Sequence, residues 1–570
     1  MTNNIHLQND VAINGMPVTL QQGESLLDAV RKLGLDSDSL AKRPIAAKVA
    51  GNVCSLNMEP HAAMDVQLLY YADPQGQRTY ERTLLLLLSI AVHRLFPEET
   101  ARLRVRYAIG GGLYVTLNKL PALSEADVLS LEGEMRRLVR AQAPLKRQRL
   151  TLSQAREIFE KNGQPDKLKL LEWRKFDYFD VYGVDGVVDY FYGEMLPDTG
   201  YADVFRLTCA GEDAFVLLLP RPDAPDAVAE YKESPKLGAV FAQSERWGEL
   251  MECGTVYELN SKIESGEVRG LIRLNEALHE RSYAAIADGV IARGARAVMV
   301  AGPSSSGKTT SANRIATQLH VMGHKPLLIS LDNYYRDRDS LVPDENGEID
   351  LEDIEALDIP RFNEDLEGLL RGKAVETPRF DFKTQKRAPE GNVIQLAPGQ
   401  AILIEGIHGL NPRMLSAAID PAEVFRVYVS ALTTLNLDDH NRISTTDIRL
   451  LRRLVRDYRT RSASMEQTFS MWPSVRRGEE TWIFPFQENA DVFFNTTLVY
   501  EIAALKPYVY PLLKQVRPDS PYYATANGMV KFLNYFLELG GEVDEIPPTS
   551  ILREFIGGCT FYEDKPLPRN

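Results

Sequence analysis

Cysteine is scarce: four occur in 570 residues, Cys54, Cys209, Cys253 and Cys559, and none forms a Cys-x-x-Cys pair. That scatter excludes a disulfide framework and a cysteine-rich zinc module, and it fits a reducing compartment. Long hydrophobic runs are missing too. The longest, Leu84 to Val92, is interrupted by Ser89 and closed by His93, far short of the roughly 20 residues that span a bilayer. Residues Met1 to Asp10 lack the charged-then-apolar order of a secretory leader. The chain therefore reads as a cytoplasmic protein with no membrane contact. Positive charge is in deficit: 65 Lys and Arg against 79 Asp and Glu give a net charge of −14, which disfavours sequence-independent coating of nucleic acid. Repeats and low-complexity tracts are absent. What remains is an ordinary globular composition, 44% hydrophobic and 25% charged, in a length that suits about three or four domains.

Changes of texture divide the chain into 1–72, 75–222, 223–292, 293–510 and 511–570. The first zone alternates short strands (Pro17 to Leu20, Ile45 to Val53, Met64 to Tyr70) around a helix from Ser25 to Leu33, with Ser25 and Asp28 spaced to start it. The second mixes a buried helix, Arg82 to Leu95, with strand-like runs at Leu113 to Leu117 and Ala214 to Leu219. The third is helical by pattern, with Ile272, Ala277 and Ile286 suggesting a long amphipathic connector. From Ala297 onward, apolar strands (Ala297 to Ala301, Pro326 to Leu331, Ala401 to Ile404, Val424 to Val429, Asp491 to Phe494) alternate with helices. That alternation predicts an α/β fold with a parallel sheet, whose ligands sit at the carboxyl ends of the strands. The last zone reads as a helical extension.

Four strand ends carry chemistry. Gly302-Pro303-Ser304-Ser305-Ser306-Gly307-Lys308-Thr309-Thr310 fits G-x-x-x-x-G-K-[ST] between a strand and a helix. Glycines let successive backbone N–H groups converge on phosphates at the helix N-terminus. Lys308 then reaches the β/γ-phosphates, and Thr309 offers a hydroxyl to Mg²⁺. Asp332, in Leu331-Asp332-Asn333-Tyr334-Tyr335, follows the second strand and is placed to take a proton from an attacking hydroxyl; capping the next turn is its other common use. Glu405, ahead of Gly406, follows the third strand and supplies a hard oxygen for Mg²⁺. Arg449, Arg452, Arg453 and Arg456 fall on one helical face opposite Ile448, Leu451 and Val455, a pattern that predicts a phosphate clamp. His320 and His324 have no third ligand in reach, so a metal role is not assigned to them.

In this order and spacing the four pieces resemble the uridine kinase family of nucleoside kinases, related to phosphoribulokinase, over about residues 290–500. The resemblance implies that Asp332 activates a ribose 5′-hydroxyl and that Glu405 is the Mg²⁺-linked acid. It implies that Arg449 and Arg452 lie between ribose and phosphates, Arg452 in catalysis and Arg449 on the substrate, and that Arg456 and Arg461 belong to a mobile lid over the nucleotide. Phe380 to Arg387 resembles the pyrimidine-contacting segment, but Phe380 replaces a phenol and Gln385 a histidine. By the same resemblance Asp358 takes the place of a ribose-binding aspartate, though the spacing around Leu357-Asp358-Ile359-Pro360 is not the usual one, and Tyr335 joins the acceptor side. Residues 12–71 resemble a TGS β-grasp domain, and 80–220 the editing domain of threonyl-tRNA synthetase, on His93-Arg94-Leu95-Phe96-Pro97 and Asp189 to Pro197. The editing positions hold Arg82, Leu86, Phe191 and Met195, which cannot ligate zinc. The implied protein is an ATP- or GTP-dependent, Mg²⁺-using nucleoside kinase with an N-terminal scaffold.

Two rival readings stand beside it: a kinase of a sugar phosphate or another small metabolite, and an RNA-binding regulator with a nucleotide switch. Contact with tRNA is the lesser expectation, and homo-oligomerisation stays open.

Overall fold

The computed structural model describes residues 9–97, 101–343, 349–381 and 384–561. At the N-terminus, strands Asn9–Ile13, Met16–Leu20, Ala46–Val49, Asn52–Cys54 and Met64–Leu69 form one mixed sheet. The helix Leu26–Lys32 starts on the expected capping box between Ser25 and Asp28. The single strand expected over Ile45 to Val53 is a hairpin instead. Ala50 and Gly51, with φ of 44° and 73°, supply the two left-handed residues of a tight turn.

The helix Pro74–Leu95 starts eight residues before its expected beginning, and the run Leu84–Val92 lies wholly inside the core. It packs beside an antiparallel sheet of Arg102–Ile109, Gly112–Asn118, Ala214–Leu218 and Arg206–Cys209. A second sheet joins Gln148–Thr151, Tyr178–Val184 and Val187–Asp189.

The expected helical connector opens with a strand, Ala224–Val228, paired to Pro220–Arg221. Helices Pro235–Leu250 and Val256–Glu264 follow, then α1 (Val268–Arg293). Ile272 and Ile286 of α1 are buried, whereas Ala277 is exposed. The buried stripe also carries Asn275, Glu276 and His279. Two of these are satisfied: Asn275 accepts from Val499 N at 2.9 Å and Glu276 pairs with Arg314 at 3.3 Å; His279 meets the Thr497 carbonyl through Nε2 at 3.2 Å and leaves Nδ1 without a partner. Apolar periodicity alone could not place this face.

The C-terminal half then alternates β1 (Ala297–Ala301), α2 (Lys308–Val321), β2 (Leu327–Ser330), α3 (Ile359–Leu370), β3 (Ile402–Glu405), β4 (Val424–Ser430), α4 (Thr445–Arg461), α5 (Met465–Trp482), β5 (Val492–Asn495), α6 (Glu501–Leu513) and α7 (Ile551–Ile556). The five strands form a wholly parallel sheet in the order β2-β3-β1-β4-β5. Every residue of β1 and β3 is buried, which is why both read as unbroken apolar runs rather than alternating ones. One core continues from this sheet through α6 and α7 and into Phe159, Phe179 and Tyr190 of the N-terminal half.

Candidate active site

The loop after β1 owes its shape to its glycines. A Cβ on Gly302 would stand 1.9 Å from the Val429 carbonyl oxygen of β4, so only glycine passes there. Ser305 and Gly307, at φ 58° and 86°, bend the chain left-handed and hand it to α2, with Gly307 at the N-cap. This is the nest geometry in which amides converge on an anion. The hydroxyls of Ser305 and Ser306 are buried with no hydrogen-bond partner, as polar groups reserved for a ligand would be. Lys308 folds back, its Nζ donating to the Pro303 carbonyl at 3.1 Å. Burial lowers the Lys308 pKa, against the opposing charges of Glu405 and Asp332.

Strand register sets the acids. Ser330 of β2 pairs with Glu405 of β3, which pairs with Val300 of β1, so the three end level. Ser330 Oγ donates to Glu405 Oε1 at 2.7 Å and accepts from Asp332 N at 3.3 Å. The turn is therefore capped by Ser330, and Asp332 is released from capping. Its carboxyl lies near Lys308, Arg461 and Arg456; burial raises its pKa and those charges oppose the rise. Burial, and then the charge of Asp332, push Glu405 up to about 7. Gly406 lets the chain leave β3 against Leu331, whose Cβ a side chain there would meet at 2.6 Å.

Among the described residues no three His, Cys, Asp or Glu side chains form a metal cage. Hydroxyl and carboxylate oxygens from Thr309 and Glu405 still fit Mg²⁺, which takes one or two protein oxygens and fills its shell with phosphates and water. The donor chemistry is right for that ion and wrong for zinc.

The arginine helix departs from expectation. Arg449 and Arg452 do not face the loop's amides. Arg449 Nε donates to the Ser304 carbonyl at 3.0 Å, and the same guanidinium pairs with buried Glu479. Arg452 is fully buried: Nε donates to Glu501 Oε2 at 2.7 Å, Nη2 to the Thr496 carbonyl at 2.9 Å, and Nη1 lies 3.5 Å from the Ser305 carbonyl. Both brace the carbonyl side of the loop, Arg449 at Ser304 and Arg452 at Ser305. Each guanidinium is balanced there by a buried carboxylate, Glu479 for Arg449 and Glu501 for Arg452. Arg453 Nη1 donates to Ser304 Oγ at 2.7 Å. Arg456 pairs with Asp457 at 2.8 Å, and Arg461, half exposed, lies 3.5 Å from the same carboxylate. The neighbouring charge of Arg456, then burial, lower Arg461 to about 10.

On the acceptor side, Tyr335 and Phe380 come together with ring centroids 5.6 Å apart, and Phe380 N donates to Asn333 Oδ1 at 3.3 Å. Asp358 is spent elsewhere: it caps α3, accepting from Arg361 N at 3.3 Å, and pairs with Arg387 at 3.0 Å. Gln385 sits in a hairpin turn at φ 55°, its amide oxygen accepting from Arg338 Nη1 at 2.6 Å. Phe382 and Lys383 lie outside the described residues.

Several residues near the site were not among the sequence-predicted ones. His408, three residues past Glu405, is buried with neither ring nitrogen hydrogen-bonded, and burial lowers it to about 4. Glu352 is pushed up to about 7, chiefly by burial, with Glu479 adding to the rise. Glu554, from α7, accepts from Thr310 Oγ1 at 2.6 Å. Only the pattern Glu-Gly-Ile-His-Gly, an imidazole so close to an acid, hinted at any of them.

Residues 297–503 match the profile of the Phosphoribulokinase / Uridine kinase family. The uridine kinases of Staphylococcus aureus strains JH9 and Newman are each 33% identical over 194 residues, which is 34% of this chain and 84% of theirs. The chain belongs to the phosphoribulokinase/uridine kinase family. Its C-terminal half is accordingly a P-loop kinase domain, a phosphotransferase acting on a small metabolite, and the family implies ATP as donor, usually with Mg²⁺. Among solved structures, a Bacillus stearothermophilus chain described as a possible uridine kinase matches at 19% identity and TM-score 0.24, over 35% of this chain and 89% of that one. D-glycerate 3-kinase from Cryptococcus neoformans matches at 16% identity and TM-score 0.20, over 50% and 91%. No helix among the described residues of this family member is long and apolar enough to cross a membrane.

Proposed function

We propose that this chain transfers the terminal phosphoryl group of ATP to the ribose 5′-hydroxyl of a nucleoside. One observation carries the reading. Asp332, a carboxyl freed from capping, lies within the field of Lys308 just past the end of β2, and Tyr335 of the same turn packs beside Phe380. Both rings are buried in the core under that turn, so the pair supplies an apolar wall on the acceptor side of Asp332.

In this reading Gly302, Ser304, Ser305, Ser306, Gly307, Lys308, Thr309 and Thr310 hold the phosphates. Thr309 and Glu405 would hold Mg²⁺, which when bound neutralises phosphate charge. The acceptor oxygen bonds to the γ-phosphorus, the bond from that phosphorus to the bridging oxygen breaks, and the hydroxyl proton passes to Asp332. ADP leaves with the bridging oxygen. Arg456 and Arg461 close over the transferring group and exclude water. The test is a panel of nucleosides and sugar phosphates with labelled ATP and, separately, GTP. Turnover of a nucleoside supports the reading; turnover of sugar phosphates alone replaces it.

A second acceptor class has its own support. Gln385 and Asp358, which stand where base and ribose contacts are expected, are engaged by Arg338 and by the α3 cap. A phosphorylated sugar would need neither.

We read residues 1–72 as a TGS-like β-grasp domain, 75–222 as a degenerate editing-like domain, 223–292 as a helical connector, 293–510 as the kinase domain and 511–570 as a C-terminal extension. The mixed sheet around Leu26–Lys32 supports the first assignment. The burial of Leu86, Phe191 and Met195, where catalysis would need polar ligands, supports a scaffold without zinc or editing chemistry. Tight, salt-sensitive tRNA binding without any small-molecule acceptor would favour an RNA-binding regulator instead.

A further inference from the structure

The C-terminal helix α7 is docked on the phosphate loop. Ile551 lies so close to Gly307 that a Cβ there would stand 2.8 Å from its Cγ2. Ile551, Leu552, Phe555 and Ile556 are all buried. Arg459 of α4 donates Nε to the Phe555 carbonyl at 3.0 Å and Nη2 to the Glu554 carbonyl at 2.7 Å. Arg452 lies over the Phe555 ring at 5.2 Å. At the other end, Ser550 bonds to Glu276, which also accepts from Tyr500 at 2.8 Å. The helix is a fixed wall of the loop.

Glu554 is the exception on this wall. It is only partly buried, and its Oε2 accepts from Thr310 Oγ1 at 2.6 Å. Thr310 is the third residue of α2, in the first turn, where the loop's amides and the helix dipole favour an anion. The carboxylate is thus seated at the edge of the place a nucleotide's phosphates must take, and its charge is felt at both Lys308 and Glu405. A side chain at the surface of a fixed helix can rotate away while the helix stays.

We infer that Glu554 is a carboxylate latch on Thr310 that competes with the donor's phosphates and sets the affinity for ATP. The latch closes on the hydroxyl when the loop holds no nucleotide. Phosphate arrival takes the Thr310 hydroxyl and turns Glu554 out to solvent. This rests on the nucleotide-binding part of the proposed function and not on the acceptor.

Calorimetry on the full-length chain tests it, with Mg²⁺ATP and with inorganic tripolyphosphate as probes and no acceptor present. Glu554→Gln is expected to bind both about tenfold or more tightly, tenfold being about 1.4 kcal/mol, and to lower KM for ATP by a similar factor. In a Thr310→Val background, itself weaker because Thr310 holds phosphate, Glu554→Gln should add little over Thr310→Val alone, because the two residues act through one hydrogen bond; a full tenfold gain there overturns the latch. A loss of wall packing would weaken binding, so the direction separates a latch from a structural role. Unchanged or weaker binding by Glu554→Gln overturns the inference, and Glu554→Ser is measured against the same expectation if the glutamine variant misfolds. Failure of the wild type and every variant to bind either probe overturns it along with the nucleotide-loop reading, whereas a wrong acceptor leaves it standing.

Discussion

Asp332 and Lys308 act on different parts of one event, so their removal should look different. Asp332→Asn keeps the shape and loses the proton acceptor. Turnover is expected to fall about 10²–10⁴-fold, with ATP affinity by calorimetry nearly unchanged; full turnover would remove Asp332 from its role. Lys308→Ala should weaken ATP binding and lower turnover together, read as a rise in KM with a fall in kcat. These positions were legible because each stands just past an apolar strand, where the fold class already puts ligands. The loop contacts of Arg449 and Arg452 were not legible, for the opposite reason. Helical spacing reports a shared face but not what the face meets, and their partners Glu479 and Glu501 lie 30 and 49 residues away.

At the scale of elements, α4 is held by charge inside an apolar setting. Replacing Arg452 by Met would strand Glu501 in the core and cost about 3–5 kcal/mol, checked by chemical denaturation. The double change Arg452→Met with Glu501→Leu should recover much of it, because both charges go together. Stability recovered without restored activity would show that the brace also shapes the loop. The parallel strands were readable because burial on both faces leaves little but apolar residues. The hairpin at Ala46–Cys54 was not, since Ala50 and Gly51 interrupt an otherwise continuous strand pattern with a two-residue turn. The polar buried stripe of α1 escaped because Asn275 and Glu276 find their partners in remote segments.

Across the whole molecule, the loop after β4 is tied into the N-terminal half by buried ions. Lys167 Nζ bonds to Asp438 Oδ1 at 2.5 Å and lies 3.7 Å from Asp189, which accepts from Ser89 Oγ at 2.8 Å and meets His440 Nδ1 at 2.7 Å. Lys167→Met should cost about 3–5 kcal/mol in a denaturant titration by leaving buried Asp438 without its cation. Burial alone would lower the His440 pKa, but Asp189 outweighs it and the net shift is upward from 6.5. A raised histidine adds stability in full below its unfolded pKa and loses it as pH rises through the folded one. The gap in stability between wild type and His440→Gln should therefore narrow as pH climbs above about 6.5; a constant gap would mean the histidine is not charged there. None of this was readable, because bonded partners lie as far as 271 positions apart.

That knot has a practical corollary for anyone wishing to trim the protein down. Cutting near residue 290 to isolate the phosphotransferase would bare the greasy flank that meets Phe159, Phe179 and Tyr190, and would abandon Asp438 with no counter-ion. The shortened enzyme should clump rather than stand alone, read as aggregate rather than monomer on size-exclusion chromatography.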